Sequence, residues 1–313
     1  MTPAMRNMGT TMRSTDWVLL VLLGAIWGGV FSLAAVALKE VPPLTVVGIR
    51  VLIAALVLAI AVRAIGLTIP TDAVTWGAFF VMGAFNNLVP FGLIFWGQTR
   101  IPSGLAAILN AATPLFVAIL CHFLTRDEKL TTNRLSGVLI GILGVAVTIG
   151  IAHAGALGLD PLAQGAVLLA AFSYASAGVF GRRFRGLSFI VVAFGQATAA
   201  TLLALPLVLI VDRPWTLAVP GPTTWAALVC LGVVGTALGH SIYFRILATA
   251  GATNVLLVTL LMPASAVLLG TLVLGERLEP HHLAGMAVIA LGLIVIDGRV
   301  VRRMRRVRLA SRP

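Results

Sequence analysis

Apolar runs of about 20 residues, separated by short polar gaps, fill the chain from end to end. They lie at 17–38, 44–65, 74–98, 102–124, 135–151, 162–181, 188–211, 223–246, 252–274 and 282–298. Each is long enough to cross the hydrocarbon core of a bilayer as a helix. Proline marks many of the gaps, at Pro42, Pro43, Pro102, Pro161, Pro220, Pro222 and Pro280. The pattern predicts an all-α membrane protein of ten transmembrane helices. The first run, from Trp17 to Leu38, follows Arg6 and Arg13 and ends near Ala35 and Ala37, as a signal peptide would. It is longer than the usual apolar region of such a peptide and reads as a retained first helix.

The pattern also repeats at an offset of about 148 residues. Glu128, Lys129 and Leu130 correspond to Glu276, Arg277 and Leu278, and Gly137 and Gly144 to Gly285 and Gly292. Pro114 corresponds to Pro263 with a one-residue slip. The chain therefore divides into repeats at 1–151 and 152–298, followed by a basic tail at 299–313 that anchors topology or binds anionic headgroups. Five spans per repeat is an odd number, so the second repeat must enter the membrane from the opposite side. Inverted repeats are the architecture of many secondary transporters, with the solute site near mid-membrane between them. One chain supplies both halves of such a site, so a monomer suffices. The paired glycines, seven residues apart, are assigned to close helix packing.

Composition narrows the class. The chain is 59% hydrophobic and 10% charged, against roughly 25% charged residues in a soluble domain. A net charge of +12 invites a nucleic-acid reading, but the basic residues sit in the gaps without an aromatic-rich basic face. They sort by side instead. Seventeen fall on the side of the termini, four on the other, and Arg50 lies within a span. This predicts cytoplasmic termini and an even number of spans in a bacterial inner membrane. Cys121 and Cys230 lie in apolar runs and suggest neither disulfide nor metal site. No cofactor is implied.

Polar residues inside the spans mark the expected cavity. They include Asn86 and Asn87 in the third span, Asn110 and Thr113 in the fourth, and Ser173, Tyr174 and Ser176 in the sixth. The eighth span carries Thr236, His240 and Tyr243 as one stripe, and the ninth carries Asn254 and Thr259. A proline within a helix frees the carbonyl four residues earlier. Pro90, Pro114 and Pro263 thus expose the carbonyls of Asn86, Asn110 and Thr259, which must be buried in protein or line a wet cavity. The kinks either border the cavity or are satisfied by neighbouring helices. Trp27, Phe91, Trp96 and Tyr174 either shape the cavity or serve packing and the interfacial belt.

These residues, in order, resemble the EamA-type transporters of the drug/metabolite transporter superfamily. The resemblance rests on Gly24, Trp27 and Gly28, then Val41-Pro42-Pro43 and Arg50. It continues with Pro102-Ser103-Gly104, Thr113-Pro114-Leu115-Phe116, and Leu274-Gly275-Glu276-Arg277-Leu278 before Gly285, and it covers about 17–298. It implies a ten-helix fold of two inverted five-helix repeats around a central cavity, with the fifth and tenth helices at the periphery. Within the family the chain is most similar to bacterial amino-acid exporters of the YddG type.

All ten carboxylates fall at span ends or in loops. A proton-coupled pump for organic cations needs one inside the membrane, so that class is disfavoured. A phosphate-bearing solute needs several cations at its site, and only Arg50 is close. Arg50 is compatible with binding a carboxylate, snorkelling or capping a helix carbonyl. The cavity therefore suits a neutral or zwitterionic solute, such as an amino acid with an apolar side chain. His240, and less so His122, could relay protons; facilitated diffusion and simple packing roles remain the alternatives. No HExxH, GxSxG or P-loop motif points to an enzyme. A lipid or lipid-linked-sugar flippase, and export of another small metabolite, are the competing readings.

Overall fold

The computed structural model describes residues 13–124, 131–149, 160–184, 186–250 and 257–297. The Asn254 position, the Glu128 segment and the basic tail lie outside them. Helices follow one another in the predicted order: α1 (Ser14–Ala37), α2 (Pro43–Ile65), α3 (Ala73–Gln98), α4 (Ser103–Leu124) and α5 (Thr132–Ile149). Then come α6 (Pro161–Phe184), α7 (Phe189–Asp212), α8 (222–250), α9 (Val258–Leu274) and α10 (Pro280–Asp297). Eight are long and apolar enough to cross a membrane, and α9 and α10 are shorter apolar helices.

The helix starts follow local chemistry. Asp72 and Asp160 accept backbone N–H bonds at the N-termini of α3 and α6. Proline opens α2, α6 and α8, where its missing N–H costs nothing. Outward-facing Ile60, Leu139, Leu202 and Leu272 are exposed in the isolated chain, as a lipid-facing surface requires.

Two ends of the bundle follow from the packing. The end at which α1 begins is called here the terminal face, and the other the far face. In α1 and α9 the residues meet in parallel: Gly24 faces Leu261, and Gly28 faces Ser265. In α5 and α10 they meet antiparallel: Gly137 faces Gly292 and Ile296, while Gly144 faces Gly285 and Ile289. Thus α9 runs from terminal to far face, and α10 returns. Helix α4 starts beside Glu276, just past the end of α9, and so runs opposite to its repeat equivalent α9. The two halves are inverted copies. The pairing is likewise symmetric, with α1 against α9 and α6 against α4, α2 against α7, and α5 against α10.

Glycine sets the closest approaches. A Cβ at Gly28 would lie 2.6 Å from Ser265 Cβ and 2.7 Å from the Met262 carbonyl oxygen. One at Gly144 would lie 2.5 Å from the Ile289 backbone nitrogen. Small residues let these backbones touch, as membrane helices with no apolar solvent gain between them need. The α5–α10 pair stands off the cavity, whose wall contains no residue of either helix.

Helices α3 and α8 each contain a π-helical stretch, Ala84–Leu88 and Leu231–Leu238. These occupy equivalent places in the two repeats. Helix α4 breaks between Asn110 and Thr113, upstream of Pro114, and the Thr113 hydroxyl donates to the Asn110 carbonyl at 2.7 Å. At Pro90 the break differs from the expectation. The π turn shifts the register by one, with Val89 N–H bonded to the Ala84 carbonyl. The Phe85 carbonyl then takes its donor from Ser173 Oγ of α6, at 2.8 Å.

Candidate functional site

A cavity of about 820 Å³ lies between the two halves. Its wall runs from Phe31, Arg50 and Phe95 near the far face to Phe184, Leu187 and Ser188 at the terminal-face ends of α6 and α7. Trp27, Asn86, Phe91, Asn110, Tyr174, His240, Tyr243 and Thr259 all line it, as does Arg50. Asn86, Asn110 and Thr259, the residues paired with the three prolines, are therefore on the wall, while Pro90 and Pro114 sit behind it. Pro263 lines a small separate pocket with Thr259.

Asn87 and Thr236 are buried behind the wall, at 2% and 4% exposure. Thr236 accepts from Arg50 Nε at 3.1 Å and donates to the Leu231 carbonyl within the π stretch. It positions Arg50. The predicted stripe of Thr236, His240 and Tyr243 is thus split, because Thr236 lies within the wider π turns while His240 and Tyr243 follow in regular α-helix, so four-residue spacing no longer keeps one face. Arg50 does not snorkel: it is 3% exposed, with its guanidinium carbon 3.8 Å from the centre of the Phe91 ring. That is cation–π distance.

Gln196 of α7 also lines the wall, a polar residue within a span that was not among the expected ones. Its Oε1 accepts from Asn86 Nδ2 at 2.9 Å and lies 3.5 Å from Asn87 Nδ2. The signal was present in the repeat. Arg50 is the eighth residue of α2, and Gln196 is the eighth of α7. Each reaches across to the π stretch of the other half, Arg50 to α8 and Gln196 to α3. One polar contact is thus built twice around the pseudo-twofold, with a cation in one copy and an amide in the other.

Aromatic groups fill the space between. Trp27 stacks on Tyr243 with ring centres 5.6 Å apart and meets His240 edge-on at 6.0 Å. Phe91 stacks on Phe95 and meets Tyr174 edge-on at 6.1 Å. His240 Nδ1 lies 2.7 Å from the Thr236 carbonyl. A carbonyl only accepts, so Nδ1 carries a proton and Nε2 is left to accept or take up a second one. Among the described residues no acidic side chain lines the cavity, and no group of His, Cys, Asp and Glu could hold a metal ion.

Beyond Arg50 the far face is closed by polar ties, and each joins one half to the other. Glu40 accepts from Gly221 N–H at 2.6 Å. Asp212 accepts from the backbone N–H and hydroxyl of Thr45 at 2.8 and 2.7 Å. Arg100 pairs with Asp160 at 2.6 Å, and this bond holds the Asp160 carboxyl below the ordinary carboxylate range. Glu276 accepts from the N–H and hydroxyl of Ser103, at 2.8 and 2.9 Å, and from Gly104 N–H at 3.1 Å. Gly275 makes this last tie possible. Its left-handed φ of 67° ends α9 and turns the chain so that Glu276 reaches the start of α4. At the terminal face Thr249 Oγ1 donates to Asp16 at 2.9 Å, and Arg182 Nη2 donates to the Cys121 sulfur at 3.5 Å.

Comparison with known proteins places the chain among relatives. The profile of the EamA-like transporter family matches residues 15–150 and again 162–297. Protein PecM of Dickeya dadantii is 26% identical over 87% of this chain and 89% of its own length. A protein of Salmonella typhimurium named as a probable amino-acid metabolite efflux pump is 29% identical over 95% of this chain and 99% of its own. Its namesake in Escherichia coli is 27% identical over 91% and 95%. A solved crystal structure superposes with a TM-score of 0.66 at 22% identity, over 94% of this chain and 99% of that one.

Proposed function

The chain belongs to the EamA-like transporter family and is a multi-pass membrane transporter, and from that premise we propose that it exports neutral or zwitterionic amino acids, apolar and aromatic ones included. The observation that carries this reading is the make-up of the cavity wall: aromatic rings, neutral amides and a single arginine, with no acidic residue among the described ones. Such a wall disfavours organic cations, which need a counter-charge in a low-dielectric site. It also lacks the clustered cations that a phosphate group requires. The names of the Salmonella and Escherichia coli relatives support the amino-acid class.

The proposed mechanism is alternating access between the inverted halves at the mid-membrane cavity. The conformation described here has its far face tied and its cavity reaching the terminal face. With the termini in the cytoplasm of a bacterial inner membrane, as the distribution of basic residues supports, this is the state that loads solute from inside. Release then requires the far-face ties to part. Pro90, beside the π turn of α3, and Pro114, beside the break in α4, mark the points at which helices flex, whereas Pro263 lies within the unbroken α9; one chain acts as the transporting unit.

The test is uptake of labelled Thr, Met, Gln and Phe into proteoliposomes preloaded with an unlabelled mixture. Saturable uptake above protein-free liposomes is expected, with affinity weakened in Asn86→Ala, which alters the wall. No uptake of any of the four would refute the amino-acid reading and favour a lipid or another metabolite.

A further inference from the structure

Among the described residues, two buried polar atoms on the cavity residues have no hydrogen-bond partner. One is Arg50 Nη1, whose Nε is taken by Thr236 while Phe91 covers one face of the guanidinium. The other is Asn110 Oδ1, on a side chain that is 8% exposed. The backbone carbonyl of Asn110 is satisfied by Thr113, so the orphan atom belongs to the amide itself. One atom is a charged donor and the other a neutral acceptor.

They also share a depth. Arg50 is the eighth residue of α2 and Asn110 the eighth of α4, and both helices start at the far face. At 1.5 Å per residue each lies about 10 Å inside that face. A buried cation without a counter-ion and a buried acceptor without a donor are each costly to leave unpaired. Placed at one level of one cavity, they are complementary to a solute bearing an anion and an ammonium side by side.

We propose that Arg50 and Asn110 form the headgroup subsite for an α-amino acid: Arg50 Nη1 holds the carboxylate, and Asn110 Oδ1 accepts from the ammonium. The solute side chain then points toward the terminal face, past Tyr174 and the stacked Trp27–Tyr243 pair. This deepens the amino-acid reading above and rests on it. It also accounts for broad acceptance of side chains, since recognition is confined to groups that all α-amino acids share. Gln196, the counterpart of Arg50, carries no charge, so the frame offers a carboxylate one anchor.

The experiment separates this subsite from the parent reading. The fastest-carried amino acid of the panel is used as labelled solute, and its uptake is challenged with the unlabelled free acid, its amide and its N-acetyl derivative. In the wild-type protein the amide, lacking the carboxylate, and the N-acetyl form, lacking the ammonium, are each expected to compete at least ~10-fold more weakly than the acid. Arg50→Gln should abolish discrimination against the amide, and Asn110→Ala discrimination against the N-acetyl form, each leaving the other preference in place. Equal competition by acid and amide in the wild type, or unchanged preferences in the folded variants, would overturn the subsite while leaving an amino-acid carrier standing. If Arg50→Gln does not fold, Arg50→Lys and the wild-type competition decide. Absence of uptake by any amino acid would refute the parent reading instead.

Discussion

Removing the Glu276 carboxylate tests whether the far-face ties hold the transporter in its present state. Glu276 accepts three hydrogen bonds from the first turn of α4 in the other half. Hydrogen bonds to a charged group contribute roughly 1.5–3 kcal/mol each when isolated, but three bonds to one partly exposed carboxylate are not independent. A value of about 2 kcal/mol for the whole tie is reasonable, and Glu276→Ala loses it. With 1.4 kcal/mol per tenfold, the ratio of far-open to far-closed molecules should rise by ~30-fold. A far-open state at ~1% would become ~25% of the ensemble.

The measurement is a distance distribution between spin labels at Lys39→Cys and Val219→Cys, with Cys121 and Cys230 replaced by serine. Both label sites are exposed, and they lie on the two segments joined by the Glu40–Gly221 tie. A second, longer distance should grow in Glu276→Ala and be minor in the wild type. Identical distributions, in a variant that melts at the same temperature as the wild type, would refute the view that these ties set the conformational balance.

Three further outcomes are expected. Gly144→Val should drive a side chain into the Ile289 backbone and destabilise the protein by about 1–3 kcal/mol; thermal melts in detergent would show it, and the folded fraction should keep its solute affinity because α5 and α10 line no part of the cavity. Asp160 has its carboxyl pKa depressed by Arg100, so its tie is complete above the ordinary carboxylate pKa and is lost only as pH falls through the lowered one. Label distances at the far face should therefore be constant from pH 5 to 8, and a transition near neutrality would contradict the assignment. Gln196→Leu leaves the Asn86 and Asn87 amides without their acceptor and should cost about 1–3 kcal/mol of stability, readable in the same melts; an unchanged melting temperature would argue that water replaces it.

Most of the architecture was legible because bilayer thickness imposes a length and lipid imposes an apolar exterior, and both leave period and composition marks in the chain. The repeat was legible through Pro114 and Pro263 and through the paired glycines, whose backbones touch where side chains cannot fit. The site was legible only as a set of polar positions. Which of them face the cavity depends on helix rotation, and a π turn adds a residue to the helix and rotates everything beyond it by about 100°. Neighbouring helical residues point about 100° apart, so Asn86 faces the cavity and Asn87 does not, while the wider π stretch takes Thr236 off the wall that His240 shares. Gln196 carries the same polar mark in an apolar run as the asparagines do, and its alignment with Arg50 across the repeat is what singles it out.

The pairing of Arg50 with Gln196 has a consequence for direction. Two inverted halves of equal chemistry would accept a solute equally well in either of two poses related by the pseudo-twofold, and such a cavity would have no head or tail. Arginine on α2 and glutamine on α7 break that degeneracy with one side chain. The frame stays nearly symmetric, as a machine that must expose its contents alternately to each side needs, while its electrostatics have a single polarity. Exchanging the two residues, Arg50→Gln with Gln196→Arg, would keep the frame and move its cation to the opposite leaflet, turning the preferred pose of a zwitterion end for end.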